Sequence, residues 1–188
     1  MTAIPDLRLP EQHRGVCIFF TGLSGAGKST IATALAAAIQ STYARPVTML
    51  DGDVVRTNLS RELGFSRQDR DTNIERIAFV AAEVVKHGGI VISAAIAPYE
   101  AARLNARRKV EQVGRFILVY LSTPLSVCEG RDTKGLYARA RRGEISMFTG
   151  VSDAYELPVR PDLTIDTDKT TVDDAVASII SVIGKEHA

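Results

Sequence analysis

Tryptophan is absent, and aromatic residues as a class make up only 6% of the chain. That leaves few platforms on which single-stranded bases could stack. Charge of one sign is also missing: the formal net charge is +1, so no molecule-wide field draws nucleic acid or an anionic membrane. Only two cysteines occur, Cys17 and Cys128, each set among apolar neighbours, and both read as small buried hydrophobes in a reducing compartment. The three histidines, His13, His87 and His187, are scattered, which argues against a metal site and for solvated positions. No apolar run approaches the ~20 residues of a membrane span. Near the start, Pro5, Asp6, Arg8 and Pro10 interrupt any leader-like segment. The expectation is a cytoplasmic protein with neither a nucleic acid nor a membrane as partner.

What the chain does contain is a core-forming composition, 45% apolar over 188 residues, enough for one domain. Its organising stretch is Gly22-Leu23-Ser24-Gly25-Ala26-Gly27-Lys28-Ser29-Thr30. Before it lies Val16-Cys17-Ile18-Phe19-Phe20, which reads as a buried strand; after it Ile31, Leu35 and Ile39 recur at helical spacing. A glycine-rich connector could imitate part of this pattern. The complete G-x-x-x-x-G-K-S spacing between a strand and a helix is what a phosphate-binding loop requires. The glycines bring backbone N–H groups close to an anion, and the helix adds the positive end of its dipole. Lys28 offers a cation to the β- and γ-phosphates, and Ser29 a hydroxyl to Mg²⁺. The stretch reads as a nucleoside-triphosphate site.

Further apolar segments follow at regular intervals. Strands are expected at Val47–Leu50, Ile90–Ala94, Phe116–Leu121 and Leu163–Ile165. Helices are expected from Asp69 to Lys86 (with Ile74, Ile77, Ala81 and Val84 as its stripe), after Pro98, after Pro124, and from the capping pattern Thr171-Val172-Asp173-Asp174. Strands alternating with helices predict an α/β fold of P-loop NTPase type, a parallel sheet with helices on both faces. Residues 1–14 read as an irregular lead-in and 15–188 as one domain. Between Arg131 and Gly150 apolar periodicity fades and basic residues crowd, which reads as a mobile basic lid.

Asp51 and Asp53 end the second strand, at the rim where parallel sheets bind ligands. Two carboxylates there could hold Mg²⁺ and orient or deprotonate an attacking hydroxyl, while one of them also caps the short helix that follows. Arg56 lies one turn beyond Asp53, and Arg70 and Asn73 share a helix face. Together with Phe65 they suit an anionic acceptor that carries a planar base. Arg131 and Lys134 are placed to stabilise charge on a transferring group, whereas Arg141 and Arg142 read as solvated.

Several motifs resemble adenylylsulfate kinases: Asp51-Gly52-Asp53-Val54-Val55-Arg56, Gly64-Phe65-Ser66 with Asp69-Arg70 and Asn73-Ile74, Thr123-Pro124-Leu125, Lys134-Gly135-Leu136-Tyr137 and Phe148-Thr149-Gly150. The resemblance runs from about Gly15 to Asp166. It implies transfer of the ATP γ-phosphate to the 3′-hydroxyl of adenosine 5′-phosphosulfate, with Mg²⁺, held by Ser29 and Asp51, as cofactor. Lys28, Asp51 and Asp53 would be catalytic, and Gly22 to Thr30 with Arg131 would bind ATP. The acceptor would be bound by Asp53, Arg56, Phe65, Arg70, Asn73, Ile96, Ala97, Lys134 and Phe148. A homodimer is implied, and a sulfurylase partner stays open. Two departures stand out. The family's Ser-Pro pair is Ala97-Pro98 here, which excludes a phosphoenzyme at that position and points to direct transfer. Glu75 stands where an arginine is usual, which implies a local charge change and not lost activity. Alternatives are another small-molecule or nucleotide kinase and a noncatalytic nucleotide-binding subunit; with no N-K-x-D sequence, a GTPase is disfavoured.

Overall fold

The computed structural model describes residues 15–184; the lead-in at 1–14, His13 and His187 lie outside them. The central strand, β1 (Val16–Thr21), is buried along its whole length. Its alternating side chains divide two cores. Val16, Ile18 and Phe20 pack with Ile31, Leu35 and Ile39 on one face. Cys17 and Phe19 pack with Ile77, Ala81 and Val110 on the other. A strand covered on both sides has no polar face, which is why it reads as an unbroken apolar run.

From β1 the chain passes through α1 (Lys28–Tyr43), β2 (Val47–Asp51), α2 (Gly52–Asn58), α3 (Arg67–Lys86), β3 (Ile90–Ala94) and α4 (Glu100–Glu111). It continues through β4 (Arg115–Leu121), α5 (Leu125–Arg131), α6 (Leu136–Arg141), β5 (Leu163–Ile165) and α7 (Val172–Gly184). The five strands pair in parallel in the order β2-β3-β1-β4-β5. Phe20 of β1 and Asp51 of β2 both pair with Ala94 of β3, so three strands end level with one another. The loops that follow them therefore open at one rim. Among the described residues no helix is long and apolar enough to cross a membrane.

Local chemistry sets the helix boundaries. α3 starts two residues before Asp69, because Ser66 accepts from the Asp69 N–H at 3.2 Å while the Asp69 carboxylate accepts from the Ser66 N–H at 3.3 Å. This reciprocal capping box satisfies two of the helix's free donors. Its stripe also shifts by one position at the far end, where Val85 is buried and Val84 only partly so. Within 131–150 the chain forms α6, whose first turn is held by Asp132: one carboxylate accepts the N–H groups of Tyr137 and Ala138, each at 3.0 Å. Tyr137 and Ala140 from this helix join the core on the α1 side. At α7 the expected pattern forms, with the Asp174 N–H donating to Thr171 Oγ1 at 3.2 Å.

Removing the α3 cap should be felt in stability. Ser66→Ala is expected to lower the unfolding free energy by about 1 kcal/mol, and Ser66→Gly by only a few tenths. Urea melts of both variants measure the losses; an unfolding free energy unchanged in Ser66→Ala would show that the hydroxyl does not cap.

Candidate active site

At the rim a cavity of about 790 Å³ lies between the phosphate loop and the α2–α3 side of the molecule. Gly25 and Gly27 have φ of 76° and 92°, conformations that only glycine adopts without strain. A Cβ on Gly25 would also stand 2.9 Å from the Cys128 carbonyl oxygen. Ser24, Gly25, Gly27, Lys28, Ser29 and Thr30 line the cavity, whereas Gly22, Leu23 and Ala26 lie outside its lining. Leu23 packs against Gly150, and Ala26 is fully buried.

Lys28 is nearly buried and donates from Nζ to the carbonyls of Gly22 at 2.9 Å and Leu23 at 2.7 Å. Burial pushes its ammonium down to about 8, against the pull of Asp51 and Asp53. Ser29 Oγ donates to Asp51 Oδ2 at 2.7 Å, and the other Asp51 oxygen accepts the Asp53 N–H at 3.0 Å. Asp51 is thus the N-cap of α2 and the partner of the loop serine at once. A hydroxyl beside a carboxylate is a hard oxygen donor pair, the kind that suits Mg²⁺ with phosphate and water completing its shell. Among the described residues no group of three or more His, Cys, Asp or Glu is arranged to hold a metal ion by itself.

Asp53 is ion-paired with Lys134, which reaches across from the α5–α6 turn. Arg131 turns under the loop, donating to the Gly25 carbonyl at 3.2 Å and to Thr167 Oγ1 and O at 2.8 and 2.9 Å. Arg141 pairs with Glu129, and Arg142 with Glu144; neither lines the cavity. Glu75 is also outside it, facing Lys109 of α4 at 4.0 Å.

The opposite wall comes from α2, α3 and the turn between them. The guanidinium carbons of Arg56 and Arg70 stand 4.5 and 5.6 Å from the centre of the Phe65 ring, which is half exposed to the cavity. Arg56 donates to the Gly64 carbonyl at 2.8 Å, and burial, then the neighbouring Arg70, lower its pKa from the ordinary value. Arg70 is more committed, donating to Phe65 O at 3.0 Å and Met147 O at 2.5 Å. Asn73 is buried, and its Oδ1 has no hydrogen-bond partner among the described residues. Ile96, Ala97 and Phe148 complete the wall, the last with its ring edge-on to Tyr137 at 5.0 Å.

Thr149 and Thr167, which line the cavity, and Tyr137, which braces the loop beside it, are given no role by the sequence reading. Thr149 lines the cavity with a buried, unpartnered hydroxyl, although it lies inside the quoted Phe148-Thr149-Gly150 motif. Thr167 bonds Arg131, Thr123 and the Ala26 carbonyl, and only the β4–β5 pairing brings it there. Tyr137 donates from its hydroxyl to the Ser24 carbonyl at 2.9 Å, and burial raises that hydroxyl's pKa, keeping it a neutral donor.

The sequence pattern of the Adenylylsulphate kinase family matches residues 14–166. An adenylyl-sulfate kinase of Microcystis aeruginosa is 51% identical over 169 residues, covering 89% of this chain and 91% of that protein. A sulfate adenylyltransferase of Coccidioides immitis is 51% identical over 174 residues, 93% of this chain but 30% of that protein. The chain therefore spans about 30% of the length of the sulfate adenylyltransferases it resembles. Among solved structures, the Mycobacterium tuberculosis APS kinase CysC in complex with AMPPNP and APS superposes with a TM-score of 0.88 at 38% identity, over 92% of this chain and 99% of that one. Phosphate loop, aspartate pair and arginine–phenylalanine wall all fall within the matched segment, and the chain belongs to the adenylylsulphate kinase family.

Proposed function

We propose that this protein is an ATP-dependent adenylylsulfate kinase of sulfate assimilation. It transfers the γ-phosphate of ATP to the 3′-hydroxyl of adenosine 5′-phosphosulfate, giving 3′-phosphoadenosine 5′-phosphosulfate and ADP. The observation that carries this reading is one cavity with a phosphate loop on one side and, on the other, an aromatic ring flanked by two arginines. Arginines suit the acceptor's phosphosulfate, and the Phe65 and Phe148 rings suit its adenine.

In the proposed reaction the bond from the γ-phosphorus to its bridging oxygen breaks as the bond to the acceptor's 3′-oxygen forms. The hydroxyl proton passes to a carboxylate, Asp51 or Asp53. Lys28 holds the β- and γ-phosphates, and the N–H groups of residues 24–30 orient them. Ser29 and Asp51 would hold Mg²⁺, which when bound neutralises charge on the phosphates. The Lys134–Asp53 pair is solvent-exposed, and such pairs are worth ~0–1 kcal/mol, so an arriving anion can draw Lys134 away and free the carboxylate. Ala97 has no hydroxyl to phosphorylate, which supports direct transfer. Arg131 serves the nucleotide side by bracing the loop. The same reading takes 15–188 as one domain with 131–150 as its lid, acting in the cytoplasm as a homodimer; a sulfurylase is the partner whose product this site would consume.

Three outcomes are expected. In an ADP-release assay, adenosine 5′-phosphosulfate should support turnover while AMP, shikimate and gluconate do not; preference for any of the latter would overturn the acceptor assignment. Arg56→Ala should weaken use of the acceptor by roughly 10–100-fold with ATP affinity unchanged, since a hydrogen bond to a charged group is worth ~1.5–3 kcal/mol. Steady-state KM values for the two substrates separate the effects. For pH, the charged form of Lys28 exists below its pKa, which burial lowers to about 8. The kcat/KM for ATP, which reports the free enzyme, should therefore fall as pH rises through that value; a flat profile between about pH 7 and about pH 9.5 would remove Lys28 from ATP binding.

A further inference from the structure

The stretch carrying Ile96 and Ala97 is fastened by side chains that the proposed chemistry does not use. Ala97 has φ of 46°, a left-handed conformation disfavoured for any residue with a Cβ, and it is buried. Such a conformation persists where its surroundings over-determine it. Here Thr21 Oγ1 lies 2.6 Å from the Ile96 carbonyl and 3.2 Å from that of Ala97. Arg103 Nη1 donates to the Ala97 carbonyl at 2.6 Å, and the Gly22 N–H donates to Ile96 O at 3.4 Å. The Pro98 carbonyl accepts the Glu156 N–H at 2.8 Å. Three consecutive carbonyls of the wall are thus occupied by the protein, so their lone pairs do not compete with an anionic acceptor.

Hydrogen-bond accounting fixes the direction of the network. A threonine hydroxyl has one proton, and a carbonyl can only accept. With the Thr21 proton directed to the carbonyls, the Tyr155 hydroxyl, 2.8 Å from Thr21 Oγ1, is the donor of that pair. Arg103 is only 1% exposed; its other side-chain hydrogen bonds go to the Glu100 carboxylate at 2.9 and 2.6 Å and the Glu156 carbonyl at 2.6 Å, and its guanidinium carbon lies 5.7 Å from the centre of the Tyr155 ring. Glu100 neutralises the buried guanidinium and fixes its plane.

Thr21 is the last residue of β1, directly before Gly22 opens the phosphate loop. The end of β1, through Thr21 Oγ1, and the start of the loop, through the Gly22 N–H, are therefore both bonded to one atom of the wall, Ile96 O. We infer that Thr21, Tyr155 and Arg103 are positioning residues, a clamp that sets the separation of the phosphate loop from the Ile96–Ala97 wall and so aligns the acceptor hydroxyl with the phosphorus. The inference rests on the kinase reading above. A misplacement of about 1 Å at the reacting atoms costs about a hundredfold in rate.

The test compares Thr21→Val, which keeps the shape and loses the hydroxyl, with Thr21→Ser, which keeps the hydroxyl. Active sites are counted by calorimetric titration with AMPPNP, and kcat per site is measured with ATP and adenosine 5′-phosphosulfate. Thr21→Val should lose about ten- to a hundredfold in kcat per site while both KM values stay within about threefold, and Thr21→Ser should recover most of the loss. A role in folding alone would lower the number of sites and leave kcat per site intact; that result, or a loss confined to KM, overturns the clamp. Should Thr21→Val fail to fold, Tyr155→Phe removes only the hydroxyl behind Thr21 and should lower the same parameter, and a parental kcat per site there overturns the clamp equally. Absence of transfer by the parent protein would instead overturn the kinase reading itself.

Discussion

The pairing of β1 on both of its edges is the constraint from which the site follows. Val16–Thr21 bonds β3 on one side and β4 on the other, so the strand has no freedom to slide without breaking two ladders. A slip of one residue would also exchange the Ile18 and Phe19 faces and bury each against the wrong helices. With that register fixed, Phe20, Ala94 and Asp51 end level. The phosphate loop, the Ala95–Pro98 turn and the aspartate pair then begin at one height. Short side chains suffice to join them: Thr21 to Ile96, Ser29 to Asp51, and Asp51 back to the Asp53 N–H.

Electrostatics at the rim is less cationic than a count of lysines and arginines implies. Lys28 spends two protons on loop carbonyls, Arg131 is bound to Thr167 and Gly25, and Lys134 faces Asp53. Arg70 has the Asp153 carboxylate at 3.4 Å, which itself accepts from Tyr99 at 2.7 Å. The exposed pairs are weak and open cheaply. The buried contacts differ, because a guanidinium left unpartnered in the interior carries a full desolvation penalty. Arg103 and Arg70 are accordingly fixed parts of the scaffold, whereas the exposed Lys134–Asp53 pair costs little to open.

The fold was legible because parallel strands buried on both faces appear as apolar runs, and because Pro98, Pro124 and Gly88 mark where helices start and stop. Residues one turn apart in sequence, such as Arg70 and Asn73, could be placed on one helix face from spacing alone. What depended on distant chain segments was not legible. Thr167 reaches the phosphate loop only because β5 pairs with β4, a relation with no local signal. α6 was obscured because its first turn is satisfied by the Asp132 side chain and its buried residues are only Tyr137 and the small Ala140, set among arginines. The start of α3 was readable in principle: Ser66 and Asp69 stand at capping-box spacing.

The anchoring of residues 131–150 limits what a lid there could do. At one end Asp132 holds the first turn of α6, and Tyr137 ties that helix to the Ser24 carbonyl of the phosphate loop. Toward the other end the buried Phe148 meets the Tyr137 ring, and Gly150, with φ of 90°, lies too close to Leu23 to carry a side chain without displacing it. Between these anchors, Arg141 to Met147 is exposed or half-buried; besides a few short-range turns it is held by the exposed Arg139–Glu144, Arg142–Glu144 and Arg141–Glu129 pairs, by Ile145 against the core and by the Arg70 bond to the Met147 carbonyl. A swing of the whole segment would break buried packing and the phosphate-loop contact together. Movement of the proposed lid is therefore cheapest as a local opening of the exposed tip around Arg142–Ser146, and Met147, whose carbonyl accepts from the buried Arg70, links that tip to the Arg70–Phe65 wall.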